Sequence, residues 1–182
     1  TRTALESVNG TDRWVARPQN VGEARTRGLE LEARGRLAEW LDQPEAPRVE
    51  LRGNVSVFHS RVDGVPGPDN RIDQQPDWSG SLGADWRVRD WPLTLGASVT
   101  YTPAYAVQVD ALQRSTTDTR QAIDAYALWS FSPALQPRLS VSNFQPRDSG
   151  STIAVTGTST VQTATTRNPS TTAWALRLEM KL

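Results

Sequence analysis

The chain has 182 residues, enough for one domain of ordinary size, and its twenty basic side chains balance twenty acidic ones. That balance excludes a general nucleic-acid binder, which needs an excess of Lys and Arg to neutralise phosphates. The absence of Cys and the single His59 exclude disulfides, thiolate metal sites, Cys nucleophiles and His pairs within the chain.

No run of about 18 apolar residues exists, so a membrane-spanning helix is also excluded. A spanning strand needs only about 9–11 residues with alternate ones apolar, and a mean hydropathy of −0.53 is compatible with that or with a soluble fold. The chain opens at Thr1 without a charged-then-apolar leader, so any signal peptide is expected to be absent or removed, with more sequence upstream.

Residues 1–10 show no alternation, and a short strand is expected at residues 12–17, followed by a short connection around residues 18–21. From Gly28 the pattern is clear. Leu29, Leu31, Ala33, Gly35 and Leu37 share one face, and Glu30, Glu32, Arg34 and Arg36 share the other. A helix would spread both sets around its circumference, whereas a strand separates them. Val49, Leu51, Gly53, Val55 and Val57 then alternate with Glu50, Arg52, Asn54 and Ser56. Trp78, Gly80, Leu82, Ala84, Trp86 and Val88 alternate with Ser79, Ser81, Gly83, Asp85 and Arg87. Leu93, Leu95, Ala97, Val99 and Tyr101 alternate with Thr94, Gly96, Ser98 and Thr100. Ile123, Ala125, Trp129 and Phe131 oppose Asp124, Tyr126 and Ser130, with Leu128 breaking the polar set. Leu139 and Val141 oppose Arg138, Ser140 and Ser142, and the chain ends with Trp174, Leu176, Leu178, Met180 and Leu182 against Arg177, Glu179 and Lys181. The total is about eight strands and no convincing helix.

The connections are unequal. Residues 89–92 and 132–137 read as tight turns, and the longer 38–47 lies at the same end. At the other end, residues 63–75, 103–120 and 146–171 are long, rich in Gly, Pro, Ser, Thr and Asp, and without a strand pattern. Short turns on one rim and long loops on the other are features of outer-membrane barrels. Ten residues at ~3.3 Å each, tilted ~45°, span roughly 23 Å, close to the apolar band of such barrels. Trp40, Trp86, Trp91, Trp129 and Phe131 fall towards the turn end, and Trp78, Tyr101 and Trp174 towards the loop end, where amphipathic rings suit the headgroup level. A soluble sandwich also alternates, but its apolar faces pack on each other. The long strands, the segregated loops and the apolar last residue favour an all-β, antiparallel transmembrane barrel.

The stretch Asn20-Val21-Gly22-Glu23-Ala24-Arg25-Thr26-Arg27-Gly28-Leu29-Glu30-Leu31-Glu32-Ala33 resembles a late barrel strand of TonB-dependent receptors. In order there follow a strand like residues 49–60, a Pro-x-x-Trp-like opening at Pro76–Trp78 and a Leu-x-Leu-Gly strand at Leu93–Gly96. Next come an Asp-x-Tyr strand at Asp124–Tyr126 and a Leu-Ser-Val-x-Asn segment at Leu139–Asn143. The resemblance runs from about residue 12 to the end. It departs from the family at Asn143-Phe144-Gln145-Pro146, where Leu-Phe-Asp and a Tyr usually follow the Asn, and at Leu182, where Phe or Trp is usual.

The resemblance implies a twenty-two-stranded barrel in the bacterial outer membrane, with an N-terminal plug and a TonB box. Residues 1–182 would then be the C-terminal portion, about eight strands, with plug and box outside the chain. The implied function is ligand recognition and TonB-energised uptake of a ferric siderophore or other chelate, a saccharide or cobalamin. The implied partners are outer-membrane lipid, the TonB complex through the plug, the barrel-assembly machinery at the last strand, and the imported small-molecule ligand. The alternatives are a self-contained eight-stranded barrel with a structural or adhesion role and a soluble carbohydrate-binding sandwich.

Under this reading Glu30, Glu32, Arg34, Arg36, Glu50, Arg52, Asp85 and Arg87 would face the lumen, with Arg177, Glu179 and Lys181. They would form either a wall met by ligand or cross-strand pairs that keep the lumen wet; the second is the default for any one residue. Haem-importing relatives use a His near His59, but their Phe-Arg-Ala-Pro and Asn-Pro-Asn-Leu boxes are absent, so His59 reads as a surface residue. Asp63, Asp69, Asp73 and Asp77 offer clustered oxygens of the kind Ca²⁺ favours, but their spacing is not that of an EF-hand, and they read as solvated loop acids. The Thr/Ser-rich residues 149–172 read as a mobile loop. With one His and no Gly-x-Ser-x-Gly element, no catalytic residue, cofactor or resident metal is expected.

Overall fold

Alternation becomes strand along most of the computed structural model, which describes residues 2–18, 22–132 and 134–180. The wall is a seven-stranded antiparallel sheet in the order β13-β10-β9-β6-β5-β4-β3. Its strands are β3 (Ala24–Arg36), β4 (Arg48–Val62), β5 (Trp78–Arg87), β6 (Leu93–Thr102), β9 (Arg120–Trp129), β10 (Leu135–Ser142) and β13 (Ala173–Met180).

Register, more than strand content, decides what this sheet is. Gly35, Leu51, Ala84, Ala97, Ala125, Val141 and Trp174 are paired in one continuous row across all seven strands, on the apolar face. The row starts at the turn end of β3 and finishes at the loop end of β13. The strands are therefore staggered as well as paired, which is the displacement that tilting strands into a barrel wall requires.

The apolar face is bare. Leu29, Leu82 and Leu176 are 60%, 67% and 77% exposed, and Leu31, Val57, Trp86, Leu139 and Leu178 lie open beside them. A soluble sandwich would cover those side chains with a second sheet; here water would meet a contiguous apolar surface far larger than soluble monomers show. Aromatics gather at both margins. Trp78 and Tyr101 lie 5.4 Å apart at the loop end, while Trp129 stacks 5.7 Å from Trp91 and 5.8 Å from Phe131 at the turn end. Trp40 belongs to a single helical turn, α1 (Leu37–Trp40), inside a connection expected to hold no helix. Its indole lies over Gly35, where a Cβ would overlap it.

Three expectations are corrected. A strand lies where no alternation was read: β1 (Arg2–Val8) pairs with β2 (Thr11–Arg17) through Asn9 and Gly10, both at positive φ, 53° and 77°. Two such residues between paired strands give the tight hairpin turn whose twist matches the strands it joins. β1 and β2 form a two-stranded sheet of their own, and among the described residues the wall has seven strands, with β3 and β13 each pairing on one side only. No ring closes. The last strand pairs with β10, from Ser142 opposite Ala173 to Leu135 opposite Met180.

The second correction concerns residues 103–120 and 146–171. They contain β7 (Tyr105–Gln108), β8 (Gln113–Thr117), β11 (Ser149–Thr156) and β12 (Val161–Asn168), joined as a second sheet in the order β12-β11-β8-β7. Thr and Ser suit exposed strands because their β-carbons fit the pleat, and polar faces on both sides erase the alternation that marks a half-buried strand. The third follows from it: residues 149–172 are not a mobile loop, because β11 is paired to β12 and to β8 along its length. The third long loop is tied in as well. Asp69 accepts Arg114 at 2.6 Å, and its carbonyl accepts the Gln108 N–H at 2.7 Å. Val62, Val65 and Val107 are buried, the last 1% exposed, and the Asn70 side chain donates to the Val62 and Val65 carbonyls. Asn20, Val21, Lys181 and Leu182, which carried sequence expectations, lie outside the described residues.

Candidate lumen-facing site

On the face opposite the leucines, register assembles the charged side chains into one array. Glu30 pairs with Ser56, Glu32 with Asn54, Arg34 with Arg52, and Arg36 with Glu50. Glu50 pairs in turn with Asp85, Asp85 with Gly96, and Gly96 with Tyr126. Glu30, Glu32, Arg34, Arg36, Glu50, Arg52, Asp85 and Arg87 therefore share one face, as their alternation predicts.

Their side chains close most of the charge locally. Arg34 is ion-paired to Glu50 one rung along, and Arg36 reaches Glu39 of α1 at 3.3 Å. Ser56 Oγ donates to Glu30 at 3.1 Å. Asp85 is the centre: Arg52 binds one carboxylate oxygen, and the Tyr126 hydroxyl donates to the other at 2.6 Å. The Arg138 guanidinium then lies 4.1 Å from the Tyr126 ring centroid, in cation–π geometry. An Arg52–Asp85–Tyr126–Arg138 chain thus crosses β4, β5, β9 and β10.

Two glycines make the chain possible. Arg52 is opposite Gly83, and a Cβ there would meet its guanidinium at 2.9–3.1 Å. Tyr126 is opposite Gly96, and a Cβ there would overlap the phenol ring. Each long side chain lies flat across the bare backbone of a neighbouring strand, and that is how both reach Asp85.

Arg52, Ser98, Asp124, Tyr126, Arg138 and Arg177 line one depression on this face. Arg138 and Arg177 are directly opposite on β10 and β13, and neither meets a carboxylate among the described residues. Asp124 is engaged by the Asn143 N–H at 2.9 Å. The depression therefore holds an excess of cationic donors suited to oxygen anions. A second depression nearer the turn end gathers Arg36, Glu50, Asp85 and Arg87. Glu179 stands opposite Gln136.

The remaining candidates do not assemble. His59 is exposed on the apolar face, opposite Arg27. Asp63 reaches Arg61 at 3.8 Å, Asp69 binds Arg114, Asp77 pairs with Arg71, and Asp73 caps the Gln74 N–H at 2.9 Å. Each acid has its own partner, and no group of three or more metal-ligating side chains occurs among the described residues. Tyr126, Arg138 and the two glycines are the members that sequence reading missed. Gly83 and Gly96 stand on the polar face of their strands, and small residues there signal that a neighbour leans across.

A family described as TonB dependent receptor-like, beta-barrel matches residues 2–171. No curated protein and no solved structure matches.

Proposed function

Since the chain belongs to the TonB-dependent receptor-like β-barrel family, we propose that it forms part of the wall of an import receptor. That family comprises outer-membrane receptors that transport ligands with TonB and are not enzymes. In this reading residues 1–182 are the C-terminal portion of a larger barrel. The plug and TonB box belong to the same receptor outside this chain. The bare apolar face meets lipid, β13 is read by the barrel-assembly machinery, and the opposite face lines the passage. The ligand is a small molecule, and the opposed guanidiniums of Arg138 and Arg177 favour one rich in oxygen anions, such as a ferric chelate, over a neutral saccharide.

One observation carries the reading: in a single register, an exposed apolar face and a polar face that carries the charges run back to back across seven staggered strands. A soluble domain has no use for the first, and a lipid-filled interior has none for the second. The open edges of β3 and β13 support the larger barrel, because lipid cannot satisfy a row of free backbone groups.

The test is uptake by cells carrying the intact receptor. Radiolabelled ferric siderophores, maltooligosaccharides and cobalamin are offered to isogenic cells with and without TonB. Accumulation that requires both receptor and TonB is expected for one class, and an Arg138→Gln, Arg177→Gln receptor should take up less of it. Recovery of the receptor in the soluble fraction, or no receptor-dependent uptake of any class, would refute the proposal.

A further inference from the structure

Where β3 and β4 leave the apolar band, their outward face changes character abruptly. Leu29 and Val57 are opposite one another and in row with Trp78. The next rung outward is Arg27 opposite His59, and the next is Arg25 opposite Arg61. All four side chains are exposed, Arg25 and Arg61 at 81% and 72%. Opposite same-face residues stand about 5 Å apart and successive ones about 7 Å, so three guanidiniums and an imidazole share a patch on the order of 10 Å across. Like charges directly opposite one another are unfavourable on a sheet. On the inner face the opposed Arg34 and Arg52 are each neutralised, by Glu50 and Asp85.

The outer patch is poorly neutralised. Arg25 has Glu23 at 3.9 Å and Arg61 has Asp63 at 3.8 Å, both pairs exposed to solvent and at the limit of ion-pair distance. Such pairs contribute little. Arg27 has no carboxylate partner among the described residues.

We propose that Arg25, Arg27 and Arg61, with His59, form a binding site on the outer wall for the phosphate of an anionic membrane lipid. The inference rests on the membrane-spanning reading and adds a ligand to a surface that reading leaves unused. Position selects a lipid over a free anion. The patch is continuous with Leu29, Leu31, Val55 and Val57 below it, and the Trp78–Tyr101 pair marks the headgroup level beside it. A phosphate held by forked guanidinium donors would leave its acyl chains lying along those apolar side chains. An inorganic phosphate gains only the first half of that contact.

The experiment is native mass spectrometry of the intact receptor in detergent, with phosphatidic acid, phosphatidylcholine, diacylglycerol or inorganic phosphate added. Each preparation is also checked for insertion into vesicles. We expect phosphatidic acid to be retained preferentially, and Arg25→Gln, Arg27→Gln, Arg61→Gln to reduce retention at least about tenfold while insertion persists. Should that triple variant fail to insert, the Glu23→Gln, Asp63→Asn receptor decides: removing the two weak counter-charges should raise retention. Equal retention of all lipids by an inserted wild-type receptor, or no change in either variant, overturns this site and leaves the membrane reading standing. Displacement of the lipid by millimolar inorganic phosphate overturns the lipid assignment in favour of a free anion. A wild-type receptor that does not insert overturns both.

Discussion

Leu82 and Ser81 are adjacent in β5 and differ in nothing that matters to depth, so they isolate the effect of facing. Leu82 is 67% exposed on the apolar face, in row with Ala33, Gly53, Val99 and Ile123. Ser81 faces the other way, between Asn54 and Thr100. β5 has ten residues, and Leu82 lies four beyond Trp78 at its loop end. At ~3.3 Å per residue and ~45° tilt, that sets Leu82 about 9 Å below the headgroup level, near the midplane of a ~25 Å band. Arg at that depth costs about 2–4 kcal/mol on a lipid-facing position. Leu82→Arg should therefore lower the folding equilibrium by roughly 30- to 1000-fold, since each 1.4 kcal/mol is tenfold. Ser81→Arg keeps its charge among polar neighbours and should cost under about 1 kcal/mol. Denaturant titration of the intact receptor folded into phosphatidylcholine vesicles measures both. Equal costs for the two substitutions would show that the sheet has no lipid side.

Three further outcomes follow from particular contacts. Tyr126→Phe removes the donor to Asp85 and leaves the ring under Arg138, so it should destabilise by about 1–2 kcal/mol in the same titration, whereas Gly96→Leu, which evicts the ring, should cost more; the reverse order would remove the glycine from the argument. Arg114→Gln breaks the tie to Asp69, and hydrogen exchange in residues 63–77 should speed up about fivefold with the wall strands unchanged; unchanged exchange in that loop would show the tie is idle. The isolated 182-residue chain in detergent should give no heat-modifiable, protease-resistant monomer, because β3 and β13 each have one open edge among the described residues; such a band on a gel would favour a self-contained ring.

The wall was legible because its chemistry is two-sided. Leu29, Leu31 and Ala33 against Glu30, Glu32 and Arg34 leave one conformation that separates them, and the same holds through β5 and β6. The loop sheet was not legible because β12 is exposed and polar on both faces, Thr163 and Thr165 on one and Gln162 and Thr166 on the other, so nothing alternates. The β1–β2 hairpin was legible in principle through Asn9-Gly10, but residues 2–8 mix apolar and polar positions without a clean period. At the site, the sequence identified the charged face but not its connections. Asp85 and Tyr126 are 41 residues apart, and only register across β5, β6 and β9 brings the hydroxyl to the carboxylate.

The five-residue pairing of β8 with β11 has a consequence for whatever approaches from outside. Two independent loops would each have to become ordered as a ligand settled, at a cost of about 0.5–1.5 kcal/mol for every side chain immobilised. Joined through one ladder, and held to the third loop by Asp69 and Arg114, they would, on the proposed reading, meet a ligand already ordered. Association then draws on shape and charge from the first encounter, and a change in one loop's sequence is felt by its neighbour as a change of angle.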